Sequence, residues 1–211
     1  MKRSADWYFD FISPYAYLQF KHLHRLPDDV EVRLTPVLFA GLLWHWEHKG
    51  PAEIPAKRVQ TYRYCHWLAA RLGVPYRTPP AHPFNPLGAL RLAIALGAGR
   101  EIVGNIFDYI WGEGGDVQTS AGLHALATRL NVDDVDALIG DDQVKATLRH
   151  NTEDALARGV YGVPTFAVAG ELFWGLDTTD LLLDYLADPS LFDDPEMQRI
   201  TNLPSAATRR A

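Results

Sequence analysis

Sulfur is the first thing this chain is short of: its 211 residues hold one cysteine, Cys65. One thiol closes no internal disulfide and completes no cysteine-built zinc site, so any sulfur chemistry needs sulfur from a ligand. Basic charge is scarce too, since 20 Lys and Arg against 26 Asp and Glu leave a formal net charge of -6. With no lysine or arginine stripe, the chain lacks the electrostatic footprint of a nucleic-acid binder. No apolar run approaches the ~18 residues of a membrane-spanning helix. Met1-Lys2-Arg3 carries the charge of a signal segment, but Asp6 and Asp10 interrupt the apolar stretch behind it and no small-residue cleavage site appears. The expectation is a soluble, cytoplasmic protein with neither nucleic-acid nor membrane partners.

What is present, 47% hydrophobic and 22% charged residues, fits one globular domain or one with a large insertion. Strand-type patterns lie at the two ends and helix-type patterns fill the middle. Residues 6–12 predict a buried strand, Pro14 to about Leu26 a helix stopped by Pro27, and Val30 to Phe39 a second strand. Helices are expected at 42–48, 56–72, 86–98, 100–112, 120–130, 133–139 and 141–157. Asn85-Pro86, Thr119-Ser120 and Gly73 supply start and stop signals. Cys65 falls on the apolar face of 56–72 and is expected to pack in the core. Thr165 to Ala169 and Leu172 to Trp174 predict a hairpin, followed by a helix at 178–186. The tail, with Pro189, Pro195, Pro204 and the Arg209-Arg210 end, predicts an irregular arm docked through Leu191 and Phe192.

Two segments carry chemistry. Ser13-Pro14-Tyr15-Ala16 follows the first strand and puts a hydroxyl at a helix N-terminus, with proline at the first helical position, where its missing N–H costs nothing. Ser13 there serves as an ordinary N-cap or as part of an anion site. Gly162-Val163-Pro164-Thr165 leads a glycine-flanked turn into a strand. Val163-Pro164 is either a plain strand-entry proline or a cis bond, the latter leaving the Val163 N–H and C=O free for an extended peptide.

Together with Phe9-Asp10-Phe11-Ile12 before Ser13, Pro55-Ala56-Lys57, Pro83-Phe84-Asn85 and Phe173-Trp174-Gly175-Leu176-Asp177, these segments resemble the 2-hydroxychromene-2-carboxylate isomerase family. That family is kin to kappa-class glutathione transferases and DsbA-like oxidoreductases, and the likeness spans roughly residues 6 to 187. It implies an α/β, thioredoxin-like fold with a large all-α insertion. Residues 1–40 and 159–187 would form the discontinuous thioredoxin-like domain, 41–158 the helical insertion and 188–211 a C-terminal arm. Ser13 and Ala16 stand where a dithiol enzyme of that fold has two cysteines.

The resemblance further implies a glutathione-dependent isomerase of aromatic degradation, acting on a small aromatic carboxylate and forming a homodimer. Ser13 would stabilise the glutathione thiolate. Val163 and Pro164 would meet the cysteinyl backbone, and Leu176, Asp177 and Thr178 the γ-glutamyl end, unless Asp177, with Asp180, merely caps the last helix. Two departures stand out: Thr178 replaces a common arginine, and His48 or Lys49 is the nearest counterpart of an asparagine that holds glutathione. Tyr15, Lys57, Phe84 and Asn85 are the candidate acceptor pocket, with solvated surface as the other reading of Lys57. Trp44, Trp46, Trp67 and Trp111 are expected in the core, although the cleft wall is a second place for them. His45 and His48, and His22 and His24, have no third ligand, so no metal site is expected. A kappa-like transferase and a noncatalytic peptide-binding module are the alternative functions.

Overall fold

The computed structural model describes residues 3–207, so the Met1-Lys2 start and the Arg209-Arg210 end lie outside the described residues. Strand β1 (Arg3–Phe9) runs parallel to β2 (Val30–Pro36), with Trp7 opposite Leu34. On its other side β1 pairs antiparallel with β3 (Thr165–Val168), which forms a hairpin with β4 (Glu171–Trp174) through the turn Ala169-Gly170. The sheet order is β2-β1-β3-β4. As a central strand β1 is covered on both faces, which explains its nearly unbroken apolar run. Trp7 and Phe9 stack at 4.8 Å between ring centroids, and Phe11, just past the strand, meets Phe107 edge-on at 4.7 Å. On the opposite face, Tyr8 packs in a smaller cluster with Val37, Leu42, Val160 and Val163. Asp6, nearly buried, is neutralised by Arg33 (2.5 Å) and Arg158 (2.7 Å).

Strand β1 ends at Phe9, three residues before the expected Ile12. The Asp10 carboxylate accepts the Ile12 N–H at 3.0 Å and the Phe39 N–H at 2.9 Å, so a side chain supplies the bonds a ladder would otherwise make. Helix α1 (Pro14–Lys21) also stops short of Leu26, because the His22 ring takes the Leu18 carbonyl at 2.9 Å and a 3-10 turn, Leu23–Arg25, follows. Helix α2 (Phe39–His45) begins three residues before the expected start. Its first amides are satisfied from far away, Leu38 N–H by the Thr152 hydroxyl and Phe39 N–H by Asp10.

Between β2 and β3 the expected helices follow: α3 (Pro55–Leu72), α4 (Leu87–Ala95), α5 (Arg100–Phe107), α6 (Ser120–Arg129), α7 (Val135–Gly140) and α8 (Asp142–Ala157). A π-helical turn, Asp108–Gly112, extends α5. Cys65 is fully buried, as its position in the helical pattern requires. Helix α9 (Thr179–Ala187) closes the sheet face. The tail is more regular than its prolines suggest. A 3-10 turn, Pro189–Asp193, precedes α10 (Pro195–Thr201). Asp188 and Asp194 cap these two segments through Ser190 and Glu196 amides, each aspartate standing directly before a proline at the first helical position. Phe192 stacks on Phe173 at 5.9 Å and docks the arm as expected. Among the described residues, no helix is long and apolar enough to cross a membrane.

Candidate active site

Ser13 is the N-cap of α1, in extended backbone geometry and 7% exposed. Its Oγ accepts the Ala16 N–H at 3.2 Å and donates to the Val163 carbonyl at 3.4 Å. The two segments singled out by their chemistry, 150 residues apart, therefore meet. Val163-Pro164 is cis, as is His82-Pro83. Contrary to the expectation of a free carbonyl, the Val163 C=O is engaged by Ser13. At 3.4 Å that bond is at the long limit and weak, so the hydroxyl exchanges it for a stronger acceptor at little cost. Pro14 has no N–H and the Ala16 N–H is taken, which leaves Tyr15 to present a first-turn amide beside Ser13.

The far side of the site is built at the start of α9. The Pro164 carbonyl accepts the Gly175 N–H at 2.8 Å, tying β3 to the end of β4. Gln19, fully buried on α1, accepts from the Trp7 indole (2.6 Å) and donates to the Gly175 carbonyl (3.1 Å) and the Thr179 hydroxyl (3.0 Å). This hub fixes Leu176-Asp177 relative to Ser13. Gly175 has φ +93°, and a Cβ there would stand 2.4 Å from the Asp177 carboxylate. Gly175→Ala is therefore expected to lower stability by about 1–3 kcal/mol through backbone strain and to displace Asp177. Urea unfolding checks the first effect, and an unchanged midpoint would contradict it. Gly162 allows a second close approach, since a Cβ at that position would lie 2.4 Å from the Trp174 indole nitrogen.

These elements enclose a cleft of about 1430 Å³. Ser13, Val163, Pro164, Leu176 and Asp177 line it, together with Tyr15, His48, Lys57, Phe84 and Asn85. Thr178 does not line it; Thr179 does, while the Thr178 hydroxyl turns back to the Gly175 carbonyl at 3.1 Å. Asp177 makes no side-chain cap to α9, so its exposed carboxylate remains available to the cleft. Lys57, in the first turn of α3, is both exposed and part of the wall. Asn85 uses its Oδ1 to hold the Leu87 N–H at 3.1 Å, which leaves its amide N–H groups for a ligand. Burial pushes the Cys65 thiol up to about 12, so the chain's own sulfur is an inert thiol at neutral pH.

The DsbA-like thioredoxin domain family matches residues 5–187. The chain belongs to that family. This DsbA-like chain is 25% identical over 223 residues to "Glutathione s-transferase kappa 2" of Caenorhabditis elegans, covering 95% of this chain and 98% of that protein. It is 29% identical over 200 residues to "2-hydroxychromene-2-carboxylate isomerase" of Sphingobium xenophagum, covering 89% of this chain and all of that protein. A solved 2-hydroxychromene-2-carboxylate isomerase superposes with a TM-score of 0.76 at 20% identity, over 96% of this chain and 100% of that one. The thioredoxin-like DsbA fold expected from the motifs is thus confirmed.

Three of the four tryptophans expected in the core of this DsbA-like chain are not there. Trp44 is 84% exposed and lines the cleft, and Trp46 and Trp67 are also exposed; only Trp111 is buried. Trp67 lies on the side of α3 away from the buried Cys65 and Ala69, and Trp44 and Trp46 stand at the C-terminal end of α2. Reading the sequence also missed Asp10 and His82, both of which line the cleft. Asp10 is fully buried, and burial raises its carboxyl to about 7 against the opposing pull of the Ile12 and Phe39 amides. A charged residue inside the run Phe9 to Ile12 was the available signal. His82, held below the ordinary histidine value by burial first and by Arg58, had none.

Proposed function

We infer that this cleft binds glutathione with its sulfur at Ser13 and serves a glutathione-dependent isomerase of the 2-hydroxychromene-2-carboxylate type. The observation that carries this reading is the Ser13 hydroxyl, weakly held, facing the Val163-Pro164 peptide in the lining of the cleft. The donor set fits a thiol tripeptide. Ser13 offers an O–H to the sulfur, Val163 an extended peptide unit, and Asp177 a carboxylate for the ammonium group. The unused amides before α9 suit the α-carboxylate.

Bound glutathione would supply a thiolate that adds reversibly to a conjugated acceptor and leaves again unchanged. The chain's task is to keep that sulfur ionised. A free thiol near pKa 8.5 is only a few per cent thiolate at neutral pH, and each unit of depression needs about 1.4 kcal/mol of preference for the anion. A serine O–H bond and the positive end of α1 supply roughly one to two units. On the other wall, Phe84 and Tyr15 present apolar surface, and Lys57 and the Asn85 amide would hold a carboxylate. His48 and Lys49, both exposed and lining the cleft, are the nearest counterparts of the missing asparagine. Thr178 brings no cation where the arginine is common, so Asp177 and backbone amides would carry the γ-glutamyl end.

Calorimetric titration with reduced glutathione is expected to show one site per chain. Addition of 2-hydroxychromene-2-carboxylate should then give an absorbance change that depends on glutathione. Absence of glutathione binding would overturn the reading. A second reading, a kappa-like transferase, draws on the relative that matches 95% of this chain; conjugation of a chlorodinitrobenzene electrophile without isomerisation would favour it.

A further inference from the structure

The loop before Ser13 is held by side chains rather than by the sheet. The Phe11 carbonyl accepts the Trp111 indole N–H at 2.7 Å, the Ile12 carbonyl accepts from His82 Nε2 at 2.8 Å, and the Ile12 N–H goes to Asp10. Trp111 and His82 both come from the helical stretch between β2 and β3. Ile12 itself lines the cleft, one residue from Ser13. An uncapped carbonyl at that position would present the negative end of its dipole beside the place an anion is to occupy. We propose that His82 is a positioning residue for the thiolate site, its Nε2–H capping the Ile12 carbonyl so that the wall next to Ser13 stays favourable to negative charge. The inference rests on the glutathione reading above.

The bond determines the tautomer. A carbonyl only accepts, so Nε2 carries a proton; the Tyr62 hydroxyl stands 2.8 Å from both Nδ1 and the residue-82 carbonyl, and its single proton serves one of them at a time. Tyr62 and Arg58, both on α3, are the titratable groups facing the ring. Burial, the largest influence, and the Arg58 charge favour the neutral ring, the bond to the Ile12 carbonyl favours the charged one, and burial prevails. Phe84 and Trp111 pack edge-on against the ring at 5.8 and 5.3 Å. The helical stretch therefore builds part of the thiol site as well as the acceptor wall.

His82→Phe keeps the aromatic packing and leaves the Tyr62 hydroxyl a partner in the backbone carbonyl of residue 82, which it already meets at 2.8 Å. The change thus removes one N–H and leaves one carbonyl uncapped. Titrating the ultraviolet absorbance of bound glutathione against pH is expected to show its thiol pKa raised by about one unit in His82→Phe. Turnover at neutral pH should fall about tenfold and recover as pH rises past the new value. His82→Gln, which places an N–H near the same point, should return the pKa most of the way, and Tyr62→Phe, which frees the ring's orientation, should give a smaller rise. An unchanged thiol pKa in folded His82→Phe, or an equal rise in His82→Gln, would overturn the proposal alone. Wild-type protein that fails to bind glutathione, or binds it with an unshifted thiol, would instead remove the glutathione reading and this inference with it.

Discussion

Ser13→Ala is expected to lower glutathione-dependent turnover on the order of 10²-fold, the usual cost of removing one preorganised donor from a developing or resting anion. The variant keeps the fold. Its loss of the Ala16 cap costs about 1 kcal/mol, and the Val163 carbonyl gives up only a 3.4 Å bond. The thiol of bound glutathione should move back toward its free value, so the deficit shrinks at high pH, where the sulfur ionises without help. Steady-state turnover across pH, with calorimetric glutathione affinity alongside, separates this from a simple binding defect. Turnover within about twofold of wild type at neutral pH would remove Ser13 from catalysis.

Asp10→Ala is expected to be the most damaging change to stability around the site, costing about 2–5 kcal/mol. It orphans two part-buried amides, those of Ile12 and Phe39, at 3.0 and 2.9 Å; a fully buried unsatisfied donor costs about 1–3 kcal/mol, and these two somewhat less. Asp10→Asn retains one acceptor oxygen and should cost less. The same residue makes stability depend on pH. Its carboxyl titrates near 3.8 when unfolded and is raised to about 7 in the folded chain, chiefly by burial. Between those values the native state holds a proton that the unfolded state has released. The stabilisation is therefore complete below about pH 4 and is lost as pH rises through 7. Urea unfolding across that interval should show wild-type stability falling relative to Asp10→Asn. Parallel profiles would mean that Asp10 does not titrate there.

Much of this site was legible because its central parts are local. Ser13-Pro14 is read from the chemistry of a helix start, and Val163-Pro164 from a turn that runs into a strand; five short motifs in order were enough to place both in one fold. The Asp188-Pro189 and Asp194-Pro195 pairs are equally local signals, but three prolines in one tail predict an irregular arm, whereas two of them begin helical turns. Partners distant in sequence were not legible. Asp10 meets Phe39 29 residues on, Thr152 starts α2 from 114 residues away, and His82 reaches Ile12 across 70. The large apolar surface of tryptophan likewise favours burial without ensuring it: Trp67 lies on the side of α3 away from Cys65 and Ala69, and Trp44 and Trp46 at the end of α2, where they stand exposed.

By itself the sequence determined that the chain cannot close an internal disulfide, that a hydroxyl stands at the head of the first helix, and that strands at both ends bracket a helical middle. These follow from residue identity and from hydrogen bonds closed within a few residues. Only the tertiary structure decided that Asp10 is buried, that Thr178 stays outside the cleft while Thr179 enters it, and that His82 and Trp111 hold the loop before Ser13. Burial and long-range pairing depend on which surfaces meet, and no local pattern encodes that meeting.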